Sequence, residues 1–250
     1  MISLLYVLFF ISGAAGLMYE SVWARYLGLF VGHEAYAQVL VLVIFLGGMS
    51  LGAYQVSRRT DSLANPLRGY ALIELAVGGI GLAFHPIFVA ATDWAYAHAF
   101  PVLGQGPAAG LLKWGLAALL ILPQSILLGT TFPLMSAGVL RLVRGEPGKV
   151  LGWLYFSNSL GAALGVLIAG FVVVRLWGLP GVLHSAGALN LLVGVAALAI
   201  SPARLPGIPY REPEEASPAG GDQRSEPRLE RLLLAAAFFT AVASFCYEID

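Results

Sequence analysis

Charged residues are nearly absent from this chain outside one short segment, and this distribution limits what it can fold into. Residues 201–231 contain 11 of the 28 charged side chains, so 17 remain for the other 219 positions. Hydrophobic residues make up 58% of the chain, and a soluble surface with so few charges would aggregate in water. The sequence therefore predicts a polytopic membrane protein.

Apolar runs long enough to cross a bilayer recur along the chain. A transmembrane helix needs about 20 apolar residues. The sequence predicts an all-α transmembrane helix bundle with six full spans and the start of a seventh, at 2–22, 35–56, 69–92, 110–134, 150–174, 179–200 and 232–250. The first apolar run continues to Val31, about 45 Å if wholly helical. We therefore expect a break or a change of direction near residues 13–28.

Residues 201–231 have the composition of a linker. Six prolines, a pair of glycines and charges of both signs leave no apolar face to bury. We expect a six-helix module at 1–200, a cytoplasmic linker at 201–231, and the first helix of a second, truncated transmembrane repeat at 232–250.

The expected second repeat rests on an ungapped alignment within the chain. Residues 10–20 and 238–248 share four of eleven positions, including a Tyr-Glu pair. Internal repeats are common in transporter folds. We therefore expect a transporter-like fold with an internal repeat, of which this chain is a fragment.

Basic residues lie in alternate loops. The segments 57–68, 140–149 and 201–231 hold 11 of the 14 Lys and Arg residues, and cytoplasmic loops are enriched in these residues. The N-terminus is therefore expected in the cytoplasm, with Trp23 near the outer interface.

Several classes of function are disfavoured. The formal net charge is zero and no basic run is present, so nucleic acid is not an expected partner. Cys246 is the single cysteine and the four histidines are scattered, so neither a disulfide nor a metal site is expected. No phosphate loop, nucleophile elbow or metalloprotease helix occurs. We therefore assign no catalytic residue and no metal ligand.

Polar side chains in apolar spans are costly to insert and are candidate functional residues. Tyr19, Glu20 and Arg25 lie at the end of the first apolar span, either as an interfacial anchor or in a substrate path. Glu74 lies inside the third span, where a carboxyl group could bond a neighbouring helix, hold a proton, bind a cation or pair with an arginine. Glu248 matches Glu20 in the aligned repeat and joins the candidate substrate path.

Asparagines near glycines predict close helix packing. Asn158 precedes Gly161 and Gly165, and Asn190 also lies among glycines. Small residues at this spacing let two helices approach, and an amide can bond across the contact. Packing is the preferred interpretation at both positions.

Two prolines in the fourth span, Pro123 and Pro133, predict helix kinks. A proline frees a backbone carbonyl group that neighbours or water must satisfy. Broken helices mark binding sites in transporters, and kinked packing without a ligand is the alternative.

Taken in order, these stretches resemble the membrane-embedded N-terminal part of bacterial spermidine synthase-like membrane proteins, also described as fused major-facilitator/spermidine synthase proteins. The resemblance covers about 1–200 and again 238–249. Its matching stretches are 9–25, 45–52, 65–70 with Glu74, 128–134 and 154–161.

The resemblance implies a polyamine context in the bacterial cytoplasmic (inner) membrane. In that family a soluble aminopropyltransferase domain follows the membrane part. That domain binds decarboxylated S-adenosylmethionine on a glycine-rich loop and uses an aspartate to deprotonate the amine. No such domain occurs in this sequence, so none of its catalytic residues or its cofactor is assigned to this chain.

Three functions remain open. The leading one is a non-catalytic membrane module that anchors a polyamine aminopropyltransferase or handles polyamine. Its partners would be the lipid bilayer and a C-terminal synthase domain or other membrane subunits. The alternatives are a major-facilitator-like transporter half for a small cation or polyamine, and a structural subunit of a larger membrane complex.

Overall fold

The computed structural model describes residues 2–104, 106–143 and 146–201, together with Leu232, Ala235 and Ala236. Within the three continuous ranges every regular element is helical. The α-helices are α1 (Ile2–Val31), α2 (Glu34–Ser57), α3 (Pro66–Trp94), α4 (Phe100–Leu103), α5 (Pro107–Leu142), α6 (Pro147–Ile168) and α7 (Val174–Ile200). A 3-10 turn, Thr60–Ser62, precedes α3, and π-helical turns at Ala95–Ala99 and Ala169–Val173 continue α3 and α6.

Local residue choice explains where the helices begin. Prolines stand at the first turns of α3, α5 and α6, where the missing N–H would have no intrahelical partner. Asn65 caps α3 by accepting a hydrogen bond from the Arg68 amide over 3.2 Å. Gly32 follows α1 with a φ of 87°, a left-handed conformation that glycine adopts without a steric cost.

The prediction of an all-α chain is confirmed for the described ranges, where five helical stretches are long and apolar enough to span a membrane. They are Ile2–Val31, Glu34–Ser57, Pro66–Leu103, Pro107–Leu142 and Pro147–Ile200. The count is lower than six because the fifth and sixth predicted spans belong to one helical stretch of 54 residues. Within it, Gly178 departs from helical geometry with φ 67° and ψ −172°.

The predicted break near residues 13–28 is wrong, because α1 is continuous from Ile2 to Val31. Its glycines serve helix contacts instead. Gly13 packs against Asn158, and Gly16 faces the side chain of Leu128. α5 extends from Pro107 to Leu142 and contains Pro123 and Pro133.

Helix pairs form the framework of the bundle. α1 packs against α6, α2 against α5, and α3 against α7, while α1 also contacts α2 and α7. Large apolar side chains also cover the outside of the bundle, including Leu29, Leu119, Phe171 and Val195. Helices that are apolar on all sides suit a lipid environment.

Two apolar clusters fill the interior. The first extends along α1 from Ala15 to Phe30 and is rich in aromatic rings. The second begins at Leu5, Leu8 and Phe9 and continues with Leu67 at the start of α3. The predicted linker beyond Ser201, the seventh span apart from Leu232, Ala235 and Ala236, and the second copy of the aligned repeat lie outside the described residues.

Candidate functional site

A layer of polar side chains separates the two apolar clusters. Ser12 of α1, Glu74 of α3 and Asn190 of α7 each lie between residues of the two clusters along their own helix. Glu74 and Asn190 have no exposed surface, and Ser12 is 3% exposed. Together with the buried Tyr70, we call these residues the Glu74 cluster.

Glu74 accepts hydrogen bonds from two other helices. Ser12 Oγ donates to Glu74 Oε1 over 2.5 Å, and Asn190 Nδ2 donates to Glu74 Oε2 over 2.5 Å. The Tyr70 hydroxyl, one turn earlier on α3, adjoins both Glu74 and Ser12. The carboxyl group is thus surrounded by neutral groups that form hydrogen bonds.

Glycines bring α7 close enough for Asn190 to reach the carboxyl group. Gly78 lies against the backbone of Gly187, and Gly194 lies against the Ala71 carbonyl. A Cβ atom at either Gly78 or Gly194 would overlap the facing helix. Because these contacts flank Asn190 on both sides, they fix the spacing of the two helices at the amide.

No cation is buried beside Glu74 in the ranges given above. The described basic residues are all exposed or half-buried, namely Arg25, Arg58, Arg59, Arg68, Lys113, Arg141, Lys149 and Arg175. Among the described side chains, Glu74 is the one acidic or basic residue that is fully buried. An uncompensated charge has a high free-energy cost inside a bilayer. This carboxyl group is therefore a candidate functional site.

Tyr19 and Gln124 lie further along the same interior. Gln124 Nε2 donates to the Val77 carbonyl over 3.2 Å. The Tyr19 ring stacks on Trp23 with 5.6 Å between ring centroids, and its hydroxyl adjoins Gln124 and packs against Gly81. All of these side chains are buried.

Several oxygen atoms of this interior have no hydrogen-bond partner of ordinary geometry in the described part of the chain. They are Tyr19 Oη, Tyr70 Oη, Gln124 Oε1 and Asn190 Oδ1. Most buried polar atoms in proteins are paired. These atoms therefore represent unused hydrogen-bonding capacity around the carboxyl group.

Tyr26 and His85 form a further polar contact among the aromatic rings of the first apolar cluster. The Tyr26 hydroxyl and His85 Nδ1 are 2.7 Å apart. Ser12, Tyr19 and Tyr26 are seven residues apart and form one stripe of α1. Sequence analysis did not identify Ser12, Tyr26 or His85 as site residues, although this spacing was a usable signal.

The ends of α1, α3 and α5 also carry polar contacts. Lys113 Nζ donates to the Val31 carbonyl over 3.2 Å and lies 5.6 Å from the centroid of the Phe100 ring, within range of a cation–π interaction. The Tyr96 hydroxyl donates to the Phe30 carbonyl over 3.1 Å. An open groove of about 550 Å³ lies beside them, lined in part by Tyr96, Phe100, Ala109 and Lys113.

The structure distributes the predicted substrate-path residues over different environments. Tyr19 and Glu74 lie in the buried interior, Glu20 is half-buried and Arg25 is exposed. Glu248 lies outside the described ranges. Trp23 is fully buried, because its ring packs against Tyr19, Phe45 and Phe84.

The residues predicted to pack helices lie at two different contacts. Gly161 faces the backbone of Phe10, and Gly165 faces the next turn of α1. Asn158 is half-buried beside Gly13 at the same contact. Asn190 lies instead in the Glu74 cluster. Of the two prolines in α5, Pro123 immediately precedes the buried Gln124.

Comparison with known proteins gives one distant relative. The chain is 26% identical over 192 residues to polyamine aminopropyltransferase 2 of Streptomyces coelicolor. The similarity covers 75% of this chain and 32% of that protein, so the chain spans about a third of the relative's length. No family model and no solved structure matches. The similarity supports a spermidine synthase-like relationship for this chain.

Proposed function

We propose that this chain is the membrane-embedded module of a longer spermidine synthase-like protein and holds the polyamine-forming part at the bacterial cytoplasmic membrane. The observation that carries this proposal is the extent of the similarity, 75% of this chain but 32% of the relative. The described part of this chain consists of long apolar helices, which suit an anchor.

The module itself is non-catalytic in this proposal. Aminopropyl transfer needs a site that admits a soluble amine and decarboxylated S-adenosylmethionine. Glu74, the buried acid of the described ranges, has no exposed surface. It therefore offers no base to a soluble substrate, and the cofactor would be bound by a synthase domain.

An activity assay on the purified chain tests this proposal. The chain is incubated in detergent with decarboxylated S-adenosylmethionine and putrescine, with a soluble aminopropyltransferase as the positive control. We expect no spermidine above that formed by detergent alone. Steady turnover by the purified chain would place the chemistry inside the membrane helices and overturn the assignment.

We further infer six crossings, with the N-terminus in the cytoplasm. Two observations support a reversal of chain direction inside the last helical stretch. Gly178 has a non-helical conformation, and α6 packs on α1 whereas α7 packs on α3. Arg141 donates to the Leu63 carbonyl over 2.7 Å, and Asn65 donates to the Ser201 hydroxyl over 3.0 Å. These contacts bring Leu63, Asn65, Arg141 and Ser201 to one end of the bundle, and all four lie in the alternate basic segments.

Cysteine labelling of intact cells tests this topology. In a Cys246→Ser background, Ser62→Cys and Ser217→Cys should resist a membrane-impermeant thiol reagent, whereas Val102→Cys should react. Val102 is 84% exposed. The reverse pattern would invert the orientation, and uniform labelling of both classes would reject the six crossings.

A second candidate function, polyamine or cation handling by a transporter half, is favoured by the buried Glu74 cluster. It is tested by binding of radiolabelled spermidine to the purified chain. An anchor should bind no more spermidine than a Glu74→Gln variant does. Saturable binding that Glu74→Gln abolishes and Glu20→Gln retains would favour handling over anchoring. A structural subunit would show neither turnover nor binding.

A further inference from the structure

We propose that the Glu74 cluster is a proton-binding site inside the bundle, at which the Glu74 carboxyl group takes up and releases H⁺. In this step an O–H bond of a hydronium ion from the solvent breaks and an O–H bond forms at a carboxylate oxygen, leaving water, and release of the proton is the reverse. The proposal goes beyond membrane anchoring and holds for any partner of this chain.

The first argument is the absence of charge compensation. Glu74 is fully buried, and no basic side chain in the described ranges is buried with it. A carboxyl group in such a place is neutralised by a ligand or is held by hydrogen bonds alone. The occupant must therefore be one that a closed, polar-lined site can admit.

The second argument is that the neighbours suit both forms of the carboxyl group. Ser12 and Asn190 donate to the two carboxylate oxygens, as an ionised group requires. The same residues, with Tyr70, also offer acceptors to a protonated group, because hydroxyl oxygens accept as well as donate. Asn190 Oδ1 and Tyr70 Oη have no hydrogen-bond partner of ordinary geometry among the described residues.

The third argument concerns the direction of the donors. A metal cation or an ammonium group needs the lone pairs of the carboxylate oxygens. Here an O–H group faces Oε1 and an N–H group faces Oε2, so one lone pair of each oxygen is already used, and a cation that needs more than one lone pair of either oxygen would have to displace a donor. A proton needs no such displacement, and it is the occupant that this arrangement favours.

The titratable groups around the site are few. Tyr70 on α3 and Tyr19 on α1 adjoin it, whereas α5 and α7 present the amides of Gln124 and Asn190. On the helices packed around it, the described ionisable side chains beyond these two tyrosines are half-buried or exposed, except Tyr26, which is buried and bonded to the half-buried His85. A proton signal from this interior is therefore assignable to Glu74.

Labelling with dicyclohexylcarbodiimide, an apolar reagent for protonated carboxyl groups in membranes, tests the proposal. The whole chain in detergent or membranes is labelled over a range of pH, and modified peptides are quantified by mass spectrometry. We expect labelling at Glu74 that falls about tenfold per pH unit above its midpoint. Glu74→Gln should lose this signal, whereas Glu20→Gln, a matched change on α1, should keep it.

A second readout covers the case in which the reagent does not reach the site. Infrared difference spectra between low and high pH should contain a carboxylic C=O band that disappears in Glu74→Gln and persists in Glu20→Gln. Size-exclusion chromatography establishes that both variants fold. Asn190→Ala should move the pH midpoint without removing the band.

Three outcomes would overturn the proposal. One is the absence of both the labelling and the infrared band in a folded wild-type chain. Another is a Glu74 signal that does not change with pH. The third is protection of Glu74 by Na⁺ but not by choline at fixed pH, which would assign the site to a metal cation.

Discussion

The two sides of α1 make different kinds of contact with the neighbouring helices. Toward α6, Gly13 and the Phe10 backbone meet Asn158 and Gly161 at backbone distance. Toward α3, the stripe of Ser12, Tyr19 and Tyr26 meets the carboxyl group of Glu74, the Gly81 position and His85. We call these the packing side and the polar side of α1.

The difference shows how a bundle of long apolar helices accommodates a buried acid. Without a hydrophobic driving force between helices in lipid, close packing of small residues supplies much of the association. The packing side provides this tight contact through glycines that lie against the backbone and side chain of the facing helix. The polar side then places hydrogen-bonding groups where side chains, rather than backbones, face each other.

The largest effect is expected from enlarging a residue on the packing side. Gly161→Leu inserts a side chain where even a Cβ atom overlaps the Phe10 carbonyl. Because the obstacle is backbone, the helices must separate, and we expect a loss of stability of about 3 kcal/mol or more. The readout is the melting midpoint in detergent, followed by size-exclusion chromatography.

Gly152→Leu is the matched control on the same helix. Gly152 is exposed and has no atom within 4 Å of a Cβ position. This variant should melt within about 0.5 kcal/mol of the wild type. Equal melting of the two leucine variants would remove the distinction between the packing side of α1 and the exposed surface of α6.

The second largest effect is a difference in stability loss between two asparagines, both of which lie near glycines in the sequence. Asn190→Ala removes a donor from the buried carboxyl group, and we expect a loss of about 1–3 kcal/mol. Asn158→Ala, at the half-buried packing side, should cost about 1 kcal/mol or less. Thermal unfolding of the two variants measures the difference.

A double-mutant cycle makes this comparison sharper. In a Glu74→Gln background, the neutral amide needs fewer donors, so Asn190→Ala should lose part of its effect while Asn158→Ala keeps its own. Additive behaviour of Asn190→Ala with Glu74→Gln would contradict a contact between the two side chains.

Much of the fold could be predicted from the sequence because length and hydropathy alone identify membrane helices. The expected span at 35–56 corresponds to α2, Glu34–Ser57. α1 was predicted too short, because its glycines were interpreted as a bend when they are helix contacts. The structure has one long apolar helical stretch where the sequence predicted two spans, at 150–174 and 179–200. Helical structure continues on both sides of Gly178, which lies at the predicted boundary.

The candidate site was predictable only in part. Glu74 was identifiable from the free-energy cost of a carboxyl group in an apolar span, and Asn190 was identifiable from the glycines near it in the sequence. The pairing of Glu74 with Ser12 and Asn190 was not, because it depends on which helices become neighbours. Local spacing places a residue on one side of a helix, but it does not say which helix lies opposite.

The smallest expected effect lies within the polar side itself, between two tyrosines seven residues apart. Tyr26→Phe removes a hydroxyl that bonds His85 Nδ1 at 2.7 Å, and one neutral hydrogen bond is worth about 1 kcal/mol. Tyr19→Phe removes a hydroxyl that has no partner of ordinary geometry in the described ranges. Loss of an unpaired buried group is nearly neutral or stabilising, so we expect a change of about 0.5 kcal/mol at most.

Both variants keep the ring and its aromatic contacts, so the thermal melts compare the hydroxyls alone. His85→Phe provides the reciprocal control, because Tyr26→Phe should cost less in that background. If Tyr19→Phe is the more damaging change, its hydroxyl is bonded in the membrane, and Gln124 is then the first candidate for its partner. The polar side of α1 would in that case be one connected network from Ser12 to Tyr19 rather than separate polar pairs.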